Sequence, residues 1–291
     1  VSTPVPATSL ATRFEAARPR LSALAYRMLG SIDDAQDAVQ EAWLRLAAAE
    51  PIANLDAWLT TVVARICLNT LRARRGREQT VARLPDPIVQ APGECDPEHR
   101  AMLADAVGMA LFVVLDTLPP AERLAFVLHD VFTVPFDQIA AIVDRTPQAA
   151  RKLASRARRR IRDADPTPDG DIAAQRQAVD AFFAAGRSGD FHRLVSVLDP
   201  DVVLRGDFGG AAPMFRADGA PSVARVAGSY AGPEREVRAA IVNGAAGALV
   251  LVGDHPTAIM GFVVRGGRVA AIDVLADPAR ISRIDLSALT G

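Results

Sequence analysis

The sequence predicts a multi-domain protein, with two all-α helical modules followed by an α+β domain. Three observations carry this prediction. Residues 12–164 place apolar residues at helical spacing, divided once by a stretch rich in Pro, Gly and acid. Pro135–Arg162 splits into two short helical patterns joined by a three-residue turn, the signature of a helix-turn-helix. Beyond a turn-rich break at Asp165–Gly170, two helical patterns give way to strands rich in Val, Ile and Ala, so a curved sheet wrapped on helices is expected.

Length and composition permit this. A chain of 291 residues, half of them hydrophobic, can bury two or three small cores. The net charge of −1 averages local excesses of both signs. No apolar run is long enough to span a bilayer, and the N-terminal stretch lacks the charged and apolar regions of a signal peptide. The expectation is a cytoplasmic protein with no membrane partner. Cys67 and Cys95, far apart and outside any CxxC spacing, fit a reduced compartment and give no zinc or disulfide framework, so neither metal nor cofactor is expected.

Taken in order, residues 1–11 read as a frayed tail. Phe14, Ala17, Leu21, Leu24, Ala25 and Met28 then share one helical face, and Gly30 ends that helix. Ser31 or Asp33 caps a second helix, whose stripe is Ala35, Val39, Ala42, Trp43 and Leu46. Asp34, Asp37 and Glu41 lie on a different face of it, with Gln40 beside them. A third helix begins near Asp56, with Trp58, Val62, Ile66, Asn69 and Leu71 mixing core and surface, and runs into a basic end at Arg65, Arg72, Arg74, Arg75 and Arg77. Faces of opposite sign imply two partners, one basic and one polyanionic. Residues 81–100 read as an extended linker.

The second module opens on a strongly apolar helix with Phe112, Val113, Leu115 and Leu118 inward. Pro119 and Pro120 start the next, in which His129 sits beside the apolar face as a packed or capping residue. In the helix-turn-helix, Phe136, Ile139, Ala140 and Val143 form the first buried face. Thr146 caps the second helix and Pro147 occupies its first position. From Arg145 to Arg162 eight basic residues follow with no Asp or Glu between them, as a helix entering a DNA major groove requires. Gln148, Arg151, Lys152 and Ser155 stand in the half that faces bases, and Arg156, Arg159 and Arg160 are placed to hold phosphates. In the third module, helices broken at Gly186–Gly189 precede the strands, and Arg265-Gly-Gly-Arg268 reads as a hairpin turn.

These residues resemble a known family. DAQDAVQEAWLRL resembles the part of bacterial sigma factors that docks on the clamp of the largest subunit of RNA polymerase. NLDAWLTTVVARICLNTLRARR resembles the part that melts and reads the −10 promoter element. Residues 115–161 are similar to the domain that reads the −35 element. Order and spacing match the extracytoplasmic-function (ECF) sigma factors, over residues 12–165. The resemblance implies sigma region 2 at 12–80 and sigma region 4 at 101–164. It implies core polymerase contacts at Asp34, Asp37, Gln40 and Glu41. It also implies a −10 base pocket at Asn54 and strand-backbone contacts at Arg65, Asn69 and Arg72, consistent with a base read outside the stack. LPDP at Leu84, Pro85, Asp86 and Pro87 is similar to the Leu-Pro-Glu-Pro element of ECF factors that carry an extra C-terminal domain, whose linkers pass near the polymerase active site and RNA exit.

Residues 171–285 resemble, less specifically, the SnoaL-like members of the NTF2-like cone fold, as in ECF factors of the SigJ kind, which are controlled by that domain. Their Asp-Gly-Gly-Gly-Lys loop corresponds to Asp207–Ala211 and their Asn-Pro-Asp-Lys-Leu tail to Asp277–Ile281, both altered here; Asp207 and Asp277 are the implied regulatory contacts. SnoaL-type enzymes use an Asp or His as general base, for which Asp207, His192, His255 and Asp273 are candidates, and no spacing selects one. The expectation is a sigma factor and not an enzyme, with a possible small-molecule ligand in the cone. The alternatives are a SnoaL-type isomerase, hydrolase or sensor fused to a DNA-binding helix-turn-helix, and a regulator that binds duplex DNA without polymerase.

Overall fold

A computed structural model describes residues 7–49, 52–76, 83–93, 108–164, 169–210 and 214–290. The chain forms two units. The first comprises 1–80, 96–105 and 114–164, the second 81–95, 106–113 and 165–291. Among the described residues no helix is long and apolar enough to cross a membrane. Arg77 and Cys95 lie outside the described residues.

In the first unit, α1 (Ala7–Leu29) begins earlier than the expected tail allowed. Its second half is apolar nearly all round (Leu21, Ala23, Leu24, Ala25, Tyr26, Met28) and is buried as the hub of the helices. α2 (Ile32–Ala47) starts on Ser31, whose hydroxyl accepts from the Asp34 amide at 3.3 Å, and buries Ala35, Ala38, Val39, Ala42 and Leu46. Trp43 is half-buried against Phe14, ring centres 4.9 Å apart. α3 (Leu55–Gly76) is capped by Asn54 and not by Asp56: Asn54 Oδ1 accepts from the Ala57 amide at 3.1 Å. Its buried stripe is Leu55, Leu59, Val63, Cys67, Leu68 and Leu71, so Trp58, Val62 and Ile66 flank the core while Asn69 is exposed.

α4 (Gly108–Thr117) buries Phe112 and Leu115. α5 (Pro120–Phe126) then passes into a π turn at Val127–Val131, where the sequence pattern reads as one continuous helix. His129 is packed there, its ring 3.9 Å from that of Phe136 and Nδ1 3.1 Å from the Val134 carbonyl. α6 (Phe136–Val143) ends on Asp144 at φ 56°, and α7 (Pro147–Ala164) starts where Thr146 Oγ1 accepts from the Ala149 amide at 3.2 Å. Buried Ala150, Ala154 and Ala157 let α7 approach α5 and α6 closely. Arg123, 2% exposed, joins three segments: Nε donates to the Arg27 carbonyl at 3.1 Å and Nη1 to Asp116 at 2.9 Å.

The second unit is built on a seven-stranded sheet of β1 (Val89–Gln90), β2 (Leu198–Asp207), β3 (Phe215–Asp218), β4 (Arg235–Val242), β5 (Ala245–Val252), β6 (His255–Arg265) and β7 (Arg268–Leu275), in the order β1-β4-β5-β6-β7-β2-β3. β2 (Leu198–Asp207) runs parallel to β7 (Arg268–Leu275), and the other neighbours are antiparallel. Register shifts in β2, β5 (Ala245–Val252) and β6 (His255–Arg265) are bulges that bend the strands. One face carries α8 (Ile172–Ser188), α9 (Phe191–Val197) and α10 (Ala220–Ser229), where Val179, Phe182, Leu194 and Val223 meet Leu204 and Phe262. The opposite face, with Leu249, Leu251 and Ile259, is covered by α11 (Pro278–Ile281) and α12 (Ser287–Thr290).

The stretch REVRAAIVNGAAGALVLVGD folds as two strands. β4 (Arg235–Val242) and β5 form a hairpin through Asn243-Gly244, both at positive φ (49° and 79°). β3 (Phe215–Asp218) and α10 went unread, because Pro and Gly in that stretch mask a short edge strand and a helix of mixed pattern. The Gly266-Gly267 hairpin forms as expected, its amides donating to the Asp169 carboxylate at 3.2 Å each.

The linker reading changes most. Residues 83–93 are no free spacer. Val89–Gln90 is strand β1, paired with β4, and Leu84 and Ile88 are 2% exposed within the second unit.

Candidate functional site

The α2 carboxylates come together. Asp34, Asp37, Gln40 and Glu41 line one open groove of about 440 Å³ whose other wall is Ile66 and Thr70 of α3. Asp34 also pairs with Arg74 across to α3, and Glu41 accepts from Arg45 at 2.9 Å, which leaves Asp37 and Gln40 the most open of the four. Leu44, 57% exposed, continues this face as an apolar centre among the acids. The sequence signal was available, since Leu44 falls off the buried stripe of α2.

On α3, Arg65, Asn69 and Arg72 lie along one exposed edge at i, i+4, i+7. Arg65 Nη2 donates to the Ala141 carbonyl of α6 at 3.0 Å. The Asn54 amide oxygen serves the helix cap, and its NH₂ group makes no hydrogen bond among the described residues.

On α7, Gln148, Arg151, Lys152, Ser155, Arg156 and Arg159 are exposed. Space supplies the acids that the local sequence lacks. Arg156 Nε donates to buried Glu122 at 2.7 Å, Arg160 is 3.5 Å from the same carboxylate, and Arg158 Nε donates to Asp130 at 2.6 Å. Arg156 and Arg160, expected to hold phosphates, also tie α7 to α5 while their side chains stay 47% and 51% exposed. Arg151 stacks its guanidinium 5.6 Å from the Phe136 ring centre, which fixes its direction at the start of the helix.

In the second unit the linker is held by a cluster of charges. Arg280 Nε donates to Asp86 Oδ1 at 2.9 Å, Nη1 to Asp207 Oδ2 at 2.7 Å, and Nη2 to the Leu84 carbonyl at 2.7 Å. Asp207 accepts the Leu84 amide at 3.1 Å and that of Gly209 at 3.1 Å. Arg83 reaches Asp277 at 3.5 Å and the Gly210 carbonyl. Two residues on, buried Asn243 takes both backbone groups of Ile88, accepting its amide at 2.6 Å and donating its own to the Ile88 carbonyl at 2.8 Å. Gly209 is obligatory, since its φ is 77° and a Cβ there would meet the Asp277 carboxylate at 2.6 Å. Leu84, Pro85, Asp86, Pro87, Asp207 and Asp277 thus come to one place. Arg83, Asn243 and Arg280, which complete it, were missed because each partner is distant in sequence.

The same unit holds a largely apolar cavity of about 410 Å³. None of the four candidate bases lines it: Asp273 is locked by Arg205 at 2.6 Å, Asp207 by Arg280, and His192 and His255 are exposed elsewhere.

The two helical modules define the class. The Sigma-70 region 2 model matches residues 13–77 and the Sigma-70, region 4 model matches residues 109–161, so this is a sigma factor with an α+β domain appended. The chain is 42% identical over 206 residues to the ECF RNA polymerase sigma factor SigJ of Mycobacterium tuberculosis (strain ATCC 25618 / H37Rv), covering 69% of this chain and 66% of that protein. It is 34% identical over 275 residues to the probable ECF RNA polymerase sigma factor SigI of M. tuberculosis (strain CDC 1551 / Oshkosh), covering 92% and 93%. The crystal structure of M. tuberculosis SigJ superimposes with a TM-score of 0.75 at 35% identity, covering 95% of this chain and 99% of that one. The chain belongs to the ECF RNA polymerase sigma factors. It binds RNA polymerase core and promoter DNA and directs promoter-specific initiation.

Proposed function

We propose that this sigma factor, acting in the cytoplasm beside its polymerase, is governed in cis by its α+β domain. In this reading, residues 12–80 and 101–164 are the polymerase- and promoter-binding modules, and 171–285 is a regulatory and non-catalytic domain. The acidic face of α2 grips a basic surface of the polymerase clamp, with Asp37 and Gln40 the most accessible of its polar groups and Leu44 as the apolar anchor. Asn54, Arg65, Asn69 and Arg72 follow the melted −10 strand. Gln148, Arg151, Lys152 and Ser155 read the −35 duplex, and Arg159 holds its phosphate.

One observation carries the regulatory part: Asp207 and Arg280 of the α+β domain hold the backbone of Leu84, in the segment that connects the two modules. A tie there sets how freely the DNA readers can separate. Catalysis is disfavoured because no carboxylate or imidazole lines the cavity among the described residues.

Capture of core polymerase on immobilised protein tests the docking surface. The double substitution Asp37→Ala with Glu41→Ala weakens capture, and Arg151→Ala spares it while relaxing −35 selectivity by about 1–3 kcal/mol. Equal capture by the double variant and the unaltered chain would place docking elsewhere.

A further inference from the structure

The α+β domain encloses a largely apolar cavity that the proposed DNA- and polymerase-binding residues do not line. Its volume, about 410 Å³, falls in the ~300–1,000 Å³ range of small-molecule sites. The walls are hydrocarbon and aromatic, with Phe182, Phe183, Leu204, Val250 and Met260 among them. Phe208, Phe215 and Tyr230 line it while 48%, 41% and 49% exposed, which places them at the mouth. Among the described residues, two guanidinium groups, Arg187 and Arg235, line it and no carboxylate does. Arg235 is already engaged, 3.4 Å from Glu234 and over the Tyr230 ring. Arg187 is exposed and has no partner among the described residues. An apolar chamber with an unspent cation at its edge selects a hydrocarbon body carrying one negative charge.

The cavity shares its wall with the linker-holding cluster. Phe208 faces the cavity, while its neighbours Asp207 and Gly210 bind Leu84 and Arg83. The Phe208 ring lies close over Gly206, where a Cβ would meet it at 2.8 Å. Ala276 also lines the cavity; its amide donates to the Asp207 carbonyl at 2.8 Å, and Asp277 and Arg280 follow directly. Both segments that grip the linker therefore have one residue in the cavity wall.

We propose that the cavity takes a small hydrocarbon carboxylate and that its occupancy is passed to the linker through Phe208 and Ala276. The coupling rests on the reading of the Arg280 cluster as a regulatory tie; the site itself does not.

Decanoate, titrated calorimetrically into the full chain with decylamine as the cationic control, tests the site. Decanoate binds at one site per chain, decylamine binds at least about tenfold more weakly, and the exposed change Arg187→Glu weakens decanoate about threefold to tenfold. Ala258→Phe, which fills the cavity, abolishes uptake; should that variant misfold, Arg187→Glu still decides. Hydrogen exchange tests the coupling: saturating decanoate alters protection of the Leu84 and Ile88 amides. No saturable uptake, equal uptake of decylamine, or closure of the mouth by a second copy of the chain would each overturn the site. Uptake with unchanged Leu84 and Ile88 exchange overturns the coupling. The regulatory reading fails separately, if Arg280→Ala transcribes like the unaltered chain while decanoate still binds.

Discussion

Arg280 makes four hydrogen bonds from one guanidinium, two to Asp86 and one each to Asp207 and the Leu84 carbonyl. The planar fork suits this work and an ammonium does not. Arg280→Ala strands the nearly buried Asp207 carboxylate and is expected to destabilise the second unit by about 2–4 kcal/mol, with Arg280→Lys recovering only part of that. Denaturant unfolding of the full chain measures it, and a loss below the error of the fit would remove Arg280 from the account. Cys67 offers a second check. Burial pushes its thiol up to about 12, from an ordinary value of 9.0. The folded state keeps the proton, so this contribution to stability is whole below pH about 9 and is lost as pH rises from there towards about 12. In a Cys95→Ser chain, Cys67 should resist alkylation at pH 8 until the protein unfolds; rapid labelling of the native chain would contradict its burial. At this scale the sequence displayed the donors and acceptors but not their pairing, since Asp86 and Arg280 are 194 residues apart.

Helices with caps and a single apolar stripe were legible because their signals are local. Ser31, Thr146 and Pro147 sit where the sequence places them, and the helix-turn-helix follows. Elements whose stability comes from elsewhere were not. β1 is two residues long and exists because β4 and Asn243 pair with it. The π turn at Val127–Val131 continues an apolar pattern that reads as ordinary helix. The stretch Arg145–Arg162 reads as free of acids because its partners Glu122 and Asp130 approach it across the fold. Asn54 belongs to this scale too, as cap of α3 and as proposed reader of a −10 base. Asn54→Asp keeps a capping oxygen and should cost only a few tenths of a kcal/mol, whereas Asn54→Ala should cost about 1 kcal/mol. Both remove the amide NH₂, so both should impair promoter melting equally, as read by permanganate footprinting. Normal melting by Asn54→Asp would leave Asn54 a cap alone.

At the scale of the whole molecule, the sequence conveyed the two helical modules and the α+β domain in their order. It did not convey that residues 83–93 fold with the α+β domain, because Pro-rich composition is shared by free spacers and by segments held along a sheet edge. In the proposed reading that placement joins initiation to control, since a segment gripped by Asp207 and Arg280 is the one that spans the polymerase-binding and −35-reading modules. Run-off transcription from genomic fragments with purified core polymerase tests this most directly, comparing the full chain with Arg280→Ala. The account predicts defined transcripts that core alone does not make, and a changed yield when Arg280 is lost. No initiation above core alone from any fragment, or identical yields from both proteins at every concentration, would contradict it.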